Sequence, residues 1–125
     1  MKRLAALFAL ALPACSGQDS TSEAEVPRIS APLTAEAQQA RFAACSARLA
    51  HYRDMGVVAH GGAKPGVDPA AWGALKPAQQ AEIFDIAACI ASGGATGPRE
   101  VTIGQAGGGL DVETRRVAND RDFAG

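Results

Sequence analysis

Cysteine and histidine are among the residues of this chain whose side chains could act as nucleophiles or metal ligands. Three cysteines stand at positions 15, 45 and 89, and none belongs to a Cys-x-x-Cys motif, which redox enzymes and many zinc sites use. If one helix carries both Cys45 and His51, their separation in angle and height is too large for a nucleophile and its base. The cysteine pattern therefore does not indicate a catalytic thiol.

The two histidines, His51 and His60, are not spaced like the ligands of a recognisable metal site. Asp54 and Asp68 could supply further ligands, but nothing in the pattern selects them. We therefore interpret both histidines as surface or loop residues, and the sequence predicts no metal and no cofactor.

The glycine-rich segment at residues 104–109 could suggest a phosphate-binding loop. It lacks the lysine and the hydroxyl residue of a P-loop and does not open a helix, so a hairpin turn is the better interpretation. A Gly-x-Ser-x-Gly motif is absent from the sequence as well. Together these patterns disfavour an enzyme.

The first 14 residues have the pattern of an export signal. Lys2 and Arg3 precede an apolar run over residues 4–12, and small residues follow it. This pattern is typical of a secretory signal peptide, and a run of that length is too short to span a bilayer as a helix.

The motif Leu12-Pro13-Ala14-Cys15 resembles the lipobox of bacterial lipoproteins, although Pro13 departs from the residue usual at its position. The resemblance implies a diacylglyceryl group on the Cys15 sulfur and cleavage before Cys15. It also implies, through Ser16, an outer-membrane location where the cell has two membranes. The alternative is cleavage after Ala14 to leave a soluble periplasmic protein.

Once Cys15 is assigned to lipid, Cys45 and Cys89 remain as one pair in an oxidising compartment. Apolar residues make up 47% of the chain but aromatic residues only 5%, so the core is expected to be thin and to need extra fastening. We predict a structural disulfide between Cys45 and Cys89, in preference to a reactive thiol.

Residues 15–33 are polar, contain prolines and show no periodicity, so we expect a disordered, lipidated tether. A single globular domain should follow over residues 34–125. Its first helix is expected over residues 34–55, with Thr34 as N-cap and Gly56 after its end. Its predicted buried stripe consists of Phe42, Cys45, Leu49 and Tyr52.

Residues 56–66 carry turn signals and are expected to form a loop. Asp68-Pro69 should begin a short helix with Trp72, which is expected to cover the helix pair. A second long helix should begin at Pro77 and end at Gly93-Gly94. Its predicted buried stripe is Ile83, Ile86, Cys89 and Ile90, with Phe84 beside it.

After Gly97-Pro98 the pattern alternates with period two on both sides of a glycine cluster, which predicts a β-hairpin. The fold class is therefore α+β: a disulfide-linked antiparallel helix pair, a short intervening helix and a C-terminal β-hairpin. The hairpin should pack one face on the helices, through Val101, Ile103, Leu110 and Val112.

Charge argues against nucleic acid as a partner. Without residues 1–14, which carry two bases and no acid, the formal net charge falls from −1 to −3. Arg115, Arg116 and Arg121 form a locally basic segment that is interleaved with acids, and we interpret it as a solvated face, with an anion site as the alternative.

The sequence thus favours a small lipid-anchored interaction module of the cell envelope, held at the membrane by its N-terminal lipid. Its partner would be an envelope protein or the cell wall. Trp72, Arg115, Arg116 and Arg121 are the candidate interaction surface. The alternative is a soluble periplasmic enzyme or ligand binder that uses His51, His60 or a reactive cysteine.

Overall fold

A computed structural model describes residues 26–123, so the predicted signal peptide and Cys15 lie outside the described residues. Helices and one sheet make up this part of the chain, which confirms the α+β class. In chain order the elements are α1 (Ala35–Asp54), β1 (Val58–His60), β2 (Gly66–Val67), α2 (Pro69–Ala74), α3 (Pro77–Ala91), β3 (Arg99–Gln105) and β4 (Asp111–Val117).

Helices α1 and α2 are N-capped by the side chains of Thr34 and Asp68, as the sequence predicts. The Thr34 hydroxyl accepts a hydrogen bond of 3.1 Å from the backbone N–H of Ala37, and the Asp68 carboxylate accepts one of 2.9 Å from Ala71. Gly56 follows α1 with φ of 82°, a conformation that glycine adopts without strain. These bonds act within a few residues, which is why the sequence alone locates the helix ends.

Helices α1 and α3 pack against each other and are joined by the predicted Cys45–Cys89 disulfide, whose Cα atoms lie 6.5 Å apart. The backbones approach closely at Gly94, where an added Cβ would lie 2.0 Å from the carbonyl oxygen of Gln38. Early residues of α1 thus meet residues just beyond the end of α3, as in an antiparallel pair.

The buried stripe of α1 differs from the predicted one at a single position. Cys45, Leu49 and Tyr52 are buried as expected, but Phe42 is exposed and Arg41 is buried in its place. Positions 41, 45, 49 and 52 follow the helical repeat as well as the predicted set does. Phe42 was predicted to be buried because it is apolar. Arg41 is buried instead, because its guanidinium forms hydrogen bonds inside the domain.

The prediction of a loop over residues 56–66 was wrong, because this segment contributes β1 and ends where β2 begins. The two strands pair antiparallel, and β2 pairs parallel with β3, so the hairpin β3–β4 is half of a four-stranded sheet ordered β1-β2-β3-β4. Strands of two or three residues are too short to show period-two alternation.

One face of the sheet packs on the helices through Val101 and Ile103, as predicted. Leu110, which was predicted to share that face, is exposed at the turn, and Val112 is half-buried against the core. The register shifts between Ile103 and Gly104, so Val112 is an extra residue in β4 and the predicted alternation fails there.

The N-terminal segment at residues 26–33, the last part of the expected tether, lies on the domain. The Ile29 N–H donates to the Asp120 carbonyl oxygen at 2.7 Å, and the Asp122 N–H donates to the Pro27 carbonyl oxygen at 2.9 Å. Arg28 also forms an ion pair of 2.6 Å with Asp120. The domain as observed therefore begins before Thr34.

Candidate functional site

A groove with a volume of about 470 Å³ separates helix α3 from the outer strand β4. Three of the four residues of the candidate interaction surface, Arg115, Arg116 and Arg121, line this groove together. Gln79, Glu82 and Asp85 of α3 form the opposite wall, and Arg28 completes the set of charged residues.

Arg115 is held over the groove by contacts on two sides. It lies opposite the buried Val101 in the β3–β4 register, so its side chain points toward the helices. Its guanidinium carbon lies 4.5 Å from the centroid of the Phe84 ring, and its Nε pairs with Glu113 at 2.5 Å. A guanidinium stacked in this way keeps N–H groups available for an incoming anion.

Asp85 and Arg121 form a nearly buried ion pair in the groove, with Nε and Oδ2 2.8 Å apart. Burial raises the pKa of the Asp85 carboxyl, and the hydrogen bond and charge of Arg121 offset only part of that rise. Because Arg121 is only 15% exposed and already has this partner, it contributes less to an incoming ligand than the exposed Arg116.

Glu82 belongs to a second cluster, which joins α1 to α3. Arg48 donates two hydrogen bonds of 2.9 Å to its carboxylate, and the Tyr52 hydroxyl donates a third of 2.6 Å. Burial acts to raise the pKa of Glu82, but these hydrogen bonds outweigh it, so the pKa lies below its ordinary value. Burial, followed by the bond to Glu82, raises the pKa of Tyr52 to about 12.

The backbone around Arg121 is positioned by Arg41, which is buried. The Nε of Arg41 donates to the Arg121 carbonyl oxygen at 2.9 Å, and its Nη1 donates to the carbonyl oxygens of Gly94 and Ala95 at 3.1 and 2.7 Å. Burial lowers the pKa of Arg41, although an arginine remains protonated at neutral pH. This network fixes the chain that leads from β4 past the groove.

The other residues singled out from the sequence lie elsewhere. Trp72 is buried with its ring edge-on to Phe84 at 5.8 Å and does not line the groove. The exposed His51 contacts Tyr52, and His60 lies against Gly66, where an added side chain would collide with its imidazole. Both Cys45 and Cys89 are committed to the disulfide.

Residues 26–123 contain neither a membrane-spanning helix nor a metal-binding cluster. No helix there has the length and hydropathy to cross a bilayer. Over the same range, no group of three or more histidine, cysteine or acidic side chains is arranged to hold a metal ion.

Comparison with known protein families, with curated protein sequences and with solved structures gave no match. The function of the groove is therefore argued from its own geometry and charge.

Four residues that line the groove or position its backbone escaped the sequence-based prediction: Arg28, Arg41, Glu82 and Asp85. Asp85 left a signal, because it stands between Phe84 and Ile86 on the most apolar part of α3. A carboxylate at such a position needs a buried cation as its partner. Arg28 left none, since only the tertiary fold brings residues 27–29 beside residues 120–122.

Proposed function

We propose that this chain is an exported, lipid-anchored protein of the cell envelope, and that it acts as an interaction module whose binding surface is the groove between α3 and β4. The domain would stand in the periplasm, tethered through Cys15, in the outer membrane where two membranes are present. Its partners would be the membrane, through the lipid, and an anionic surface of an envelope protein or of the cell wall.

Support for export and anchoring comes from the signal-like residues 1–14 and the lipobox-like motif that ends at Cys15. A disulfide between Cys45 and Cys89 is consistent with an oxidising compartment. Two or three acyl chains hold a protein at a bilayer far more firmly than one does.

The observation that carries the binding role is the unequal exposure of the two kinds of charge in the groove. The side chains of Arg28 and Arg115 are 46% and 35% exposed, whereas those of Glu82 and Asp85 are only 16% and 12% exposed. Both carboxylates are already hydrogen-bonded, and Arg28 and Arg115 are paired with acids outside the groove lining. Arg116 is exposed and forms no ion pair with any of the described residues, so it is the guanidinium most available to a ligand. Guanidinium groups bind carboxylates and phosphates in a forked geometry.

Photocrosslinking in intact cells tests this proposal. A photoreactive residue is placed at Ala78, which is exposed and lines the groove, and in a matched strain at Ala47, which is exposed on α1 away from it. We expect a discrete adduct to an envelope component from position 78 and none from position 47. The adduct should weaken when Arg116→Glu is added, because this change reverses a charge of the groove.

Equal adduct yields from positions 78 and 47 would exclude the groove as the binding surface. An adduct from position 78 whose yield is unchanged by Arg116→Glu would exclude it as well. The control for folding is the Cys45–Cys89 disulfide, which should form in every variant.

A second cavity supports the alternative proposal, a small soluble periplasmic ligand binder. His60 and Lys64 line a second cavity of about 170 Å³ beside Gly66 and Gly104. The version that uses a reactive cysteine is disfavoured, since both sulfur atoms are bonded to each other. Thiol titration of the native protein separates these cases, because a thiol enzyme requires at least one free thiol at Cys45 or Cys89.

A further inference from the structure

Strand β4 is an outer strand of the sheet, with β3 on one side only. Within residues 26–123, no backbone hydrogen bond joins β4 to any segment other than β3. Among the described residues, its other edge therefore has no backbone partner, and its N–H and C=O groups can pair with a further strand.

The groove borders this free edge and not merely one face of the strand. Four consecutive residues line it: Arg115, Arg116, Val117 and Ala118. Successive side chains of a strand point to opposite faces, so a cavity that touches consecutive residues must run along the backbone edge. Because α3 forms the opposite wall, the groove lies beside the edge where a further strand would pair with β4.

The charges along this edge favour an acidic chain. Arg115 and Arg116 are adjacent on β4, and Arg116 is exposed and forms no ion pair with any of the described residues. In an added strand, side chains alternate between the helix-facing side, where Arg115 lies, and the open side, where Arg116 lies. Carboxylates on both faces of an acidic strand would therefore find a guanidinium.

We propose that the partner binds by β-strand addition: an extended acidic segment of an envelope protein pairs with the free edge of β4 and fills the groove. This inference rests on the proposed function and specifies its binding mode. Backbone hydrogen bonds to β4 would supply affinity, and the arginines would select acidic sequences. The same charges discourage apolar strands from pairing with this edge.

Two other occupants belong to the protein itself. A second copy of β4 would bring Asp111 and Glu113 together with Arg115 and Arg116, so it adds no net negative charge. Residues 16–25 contain Asp19, Glu23 and Glu25, and they directly precede Val26, which lines the groove. In the proposed lipoprotein this segment connects Cys15 at the membrane to the domain, so we assign the groove to a partner segment.

The test uses the full chain carrying Cys15→Ala, which removes the lipid site, and a seven-residue peptide that matches the length of β4 and carries glutamate on both faces of the strand. Amide hydrogen exchange is followed by NMR with and without the peptide. We expect alternate amides of β4, those that point away from β3, to exchange at least about tenfold more slowly in the complex. A peptide with lysine in place of glutamate should not bind.

Matched variants separate charge from fold. Arg116→Glu should weaken binding of the acidic peptide about tenfold, whereas Arg53→Glu, on an exposed position of α1 outside the groove, should leave it unchanged. If the peptide binds without alternate protection of β4 amides, strand addition is wrong while the groove remains a binding surface.

The remaining outcomes also decide the inference. If no acidic peptide binds, it is overturned, and the crosslinking at Ala78 decides the proposed function independently. A concentration-dependent doubling of mass with protection of β4 would assign the edge to a second copy. Binding only after Asp19, Glu23 and Glu25 are changed to lysine would assign it to the chain's own N-terminal segment.

Discussion

The Nη2 atom of Arg41 donates a hydrogen bond of 3.1 Å to the side-chain oxygen of Asn119, and both residues are buried. Asn119 has φ of 55°, a left-handed conformation that asparagine tolerates better than most residues. Its side-chain N–H group donates in turn to the Ser92 hydroxyl and the Ala95 carbonyl oxygen. Hydrogen bonds of Asn119 thus connect the C-terminal segment to helix α1 and to the residues at the end of α3.

Replacing Arg41 with methionine should destabilise the domain by about 3 kcal/mol, because the change leaves buried carbonyl oxygens and Asn119 without their donor. Urea unfolding of the variant measures this loss. The matched change Arg53→Met, on an exposed position of the same helix, should cost less than about 0.5 kcal/mol. A similar cost for both variants would show that the buried network does not hold the fold together.

Removing the disulfide by Cys45→Ala and Cys89→Ala should lower the melting temperature markedly. The bond closes a loop with a sequence separation of 44 residues, for which the loop-entropy model gives at most about 4 kcal/mol. Calorimetry measures the shift, and mass analysis without reductant checks that no free thiol exists in exported protein. Binding at the groove should persist at low temperature, since the bond stabilises the fold and does no redox work.

The two halves of the expected tether should respond differently to deletion. A chain that begins at Val26 should unfold at the same temperature as the chain that begins at Ser16, because residues 16–25 carry almost no large apolar side chain. A chain that begins at Thr34 should be less stable by about 1 kcal/mol, since it loses the ion pair of Arg28 and the backbone bonds to residues 120–122. Thermal unfolding of the three chains gives the comparison, and equal stability of all three would contradict it.

The Glu82 cluster should make part of the stability depend on pH. The pKa of Glu82 lies below its ordinary value of 4.5 in the folded protein, so its stabilisation is fully present above about pH 4.5 and is lost as the pH falls through the lowered value. Glu82→Gln should therefore cost about 2 kcal/mol at pH 7 and less at pH 3, where part of this stabilisation has been lost. Glu100→Gln, on the open face of the sheet, should change stability by less than about 0.5 kcal/mol at both pH values.

Attachment through Cys15 predicts that the exported protein takes up labelled fatty acid and partitions into detergent. Cys15→Ala should abolish both properties, because the thioether linkage requires the sulfur atom. An unlabelled wild-type protein in the aqueous phase would support cleavage after Ala14 and a soluble periplasmic protein.

Local sequence signals predicted the helices and the disulfide. Thr34, Asp68 and Pro77 act on backbone groups within one turn, so the positions where helices begin can be read without knowledge of the fold. Cys45 and Cys89 lie on apolar helical stripes, which made them plausible partners before any distance was known.

Contacts between residues remote in sequence determine the short strands and the burial of Arg41. The strands β1 and β2 are too short to be recognised by their own pattern, and β2 exists as a strand because β3 lies beside it in parallel. Arg41 is buried only because carbonyl oxygens and Asn119, remote in sequence, satisfy its guanidinium.

The groove shows the same division between sequence and tertiary structure. Its arginines were visible as a basic segment of the sequence, but the acids interleaved with them favoured a solvated face over an anion site. In the fold, the interleaved Glu113 pairs with Arg115, and Arg116 stays exposed at the edge of β4. The carboxylates of Glu82 and Asp85, from α3, are largely shielded by partners from other segments. Burial and distance govern how strongly a charge acts, and both are properties of the packed chain.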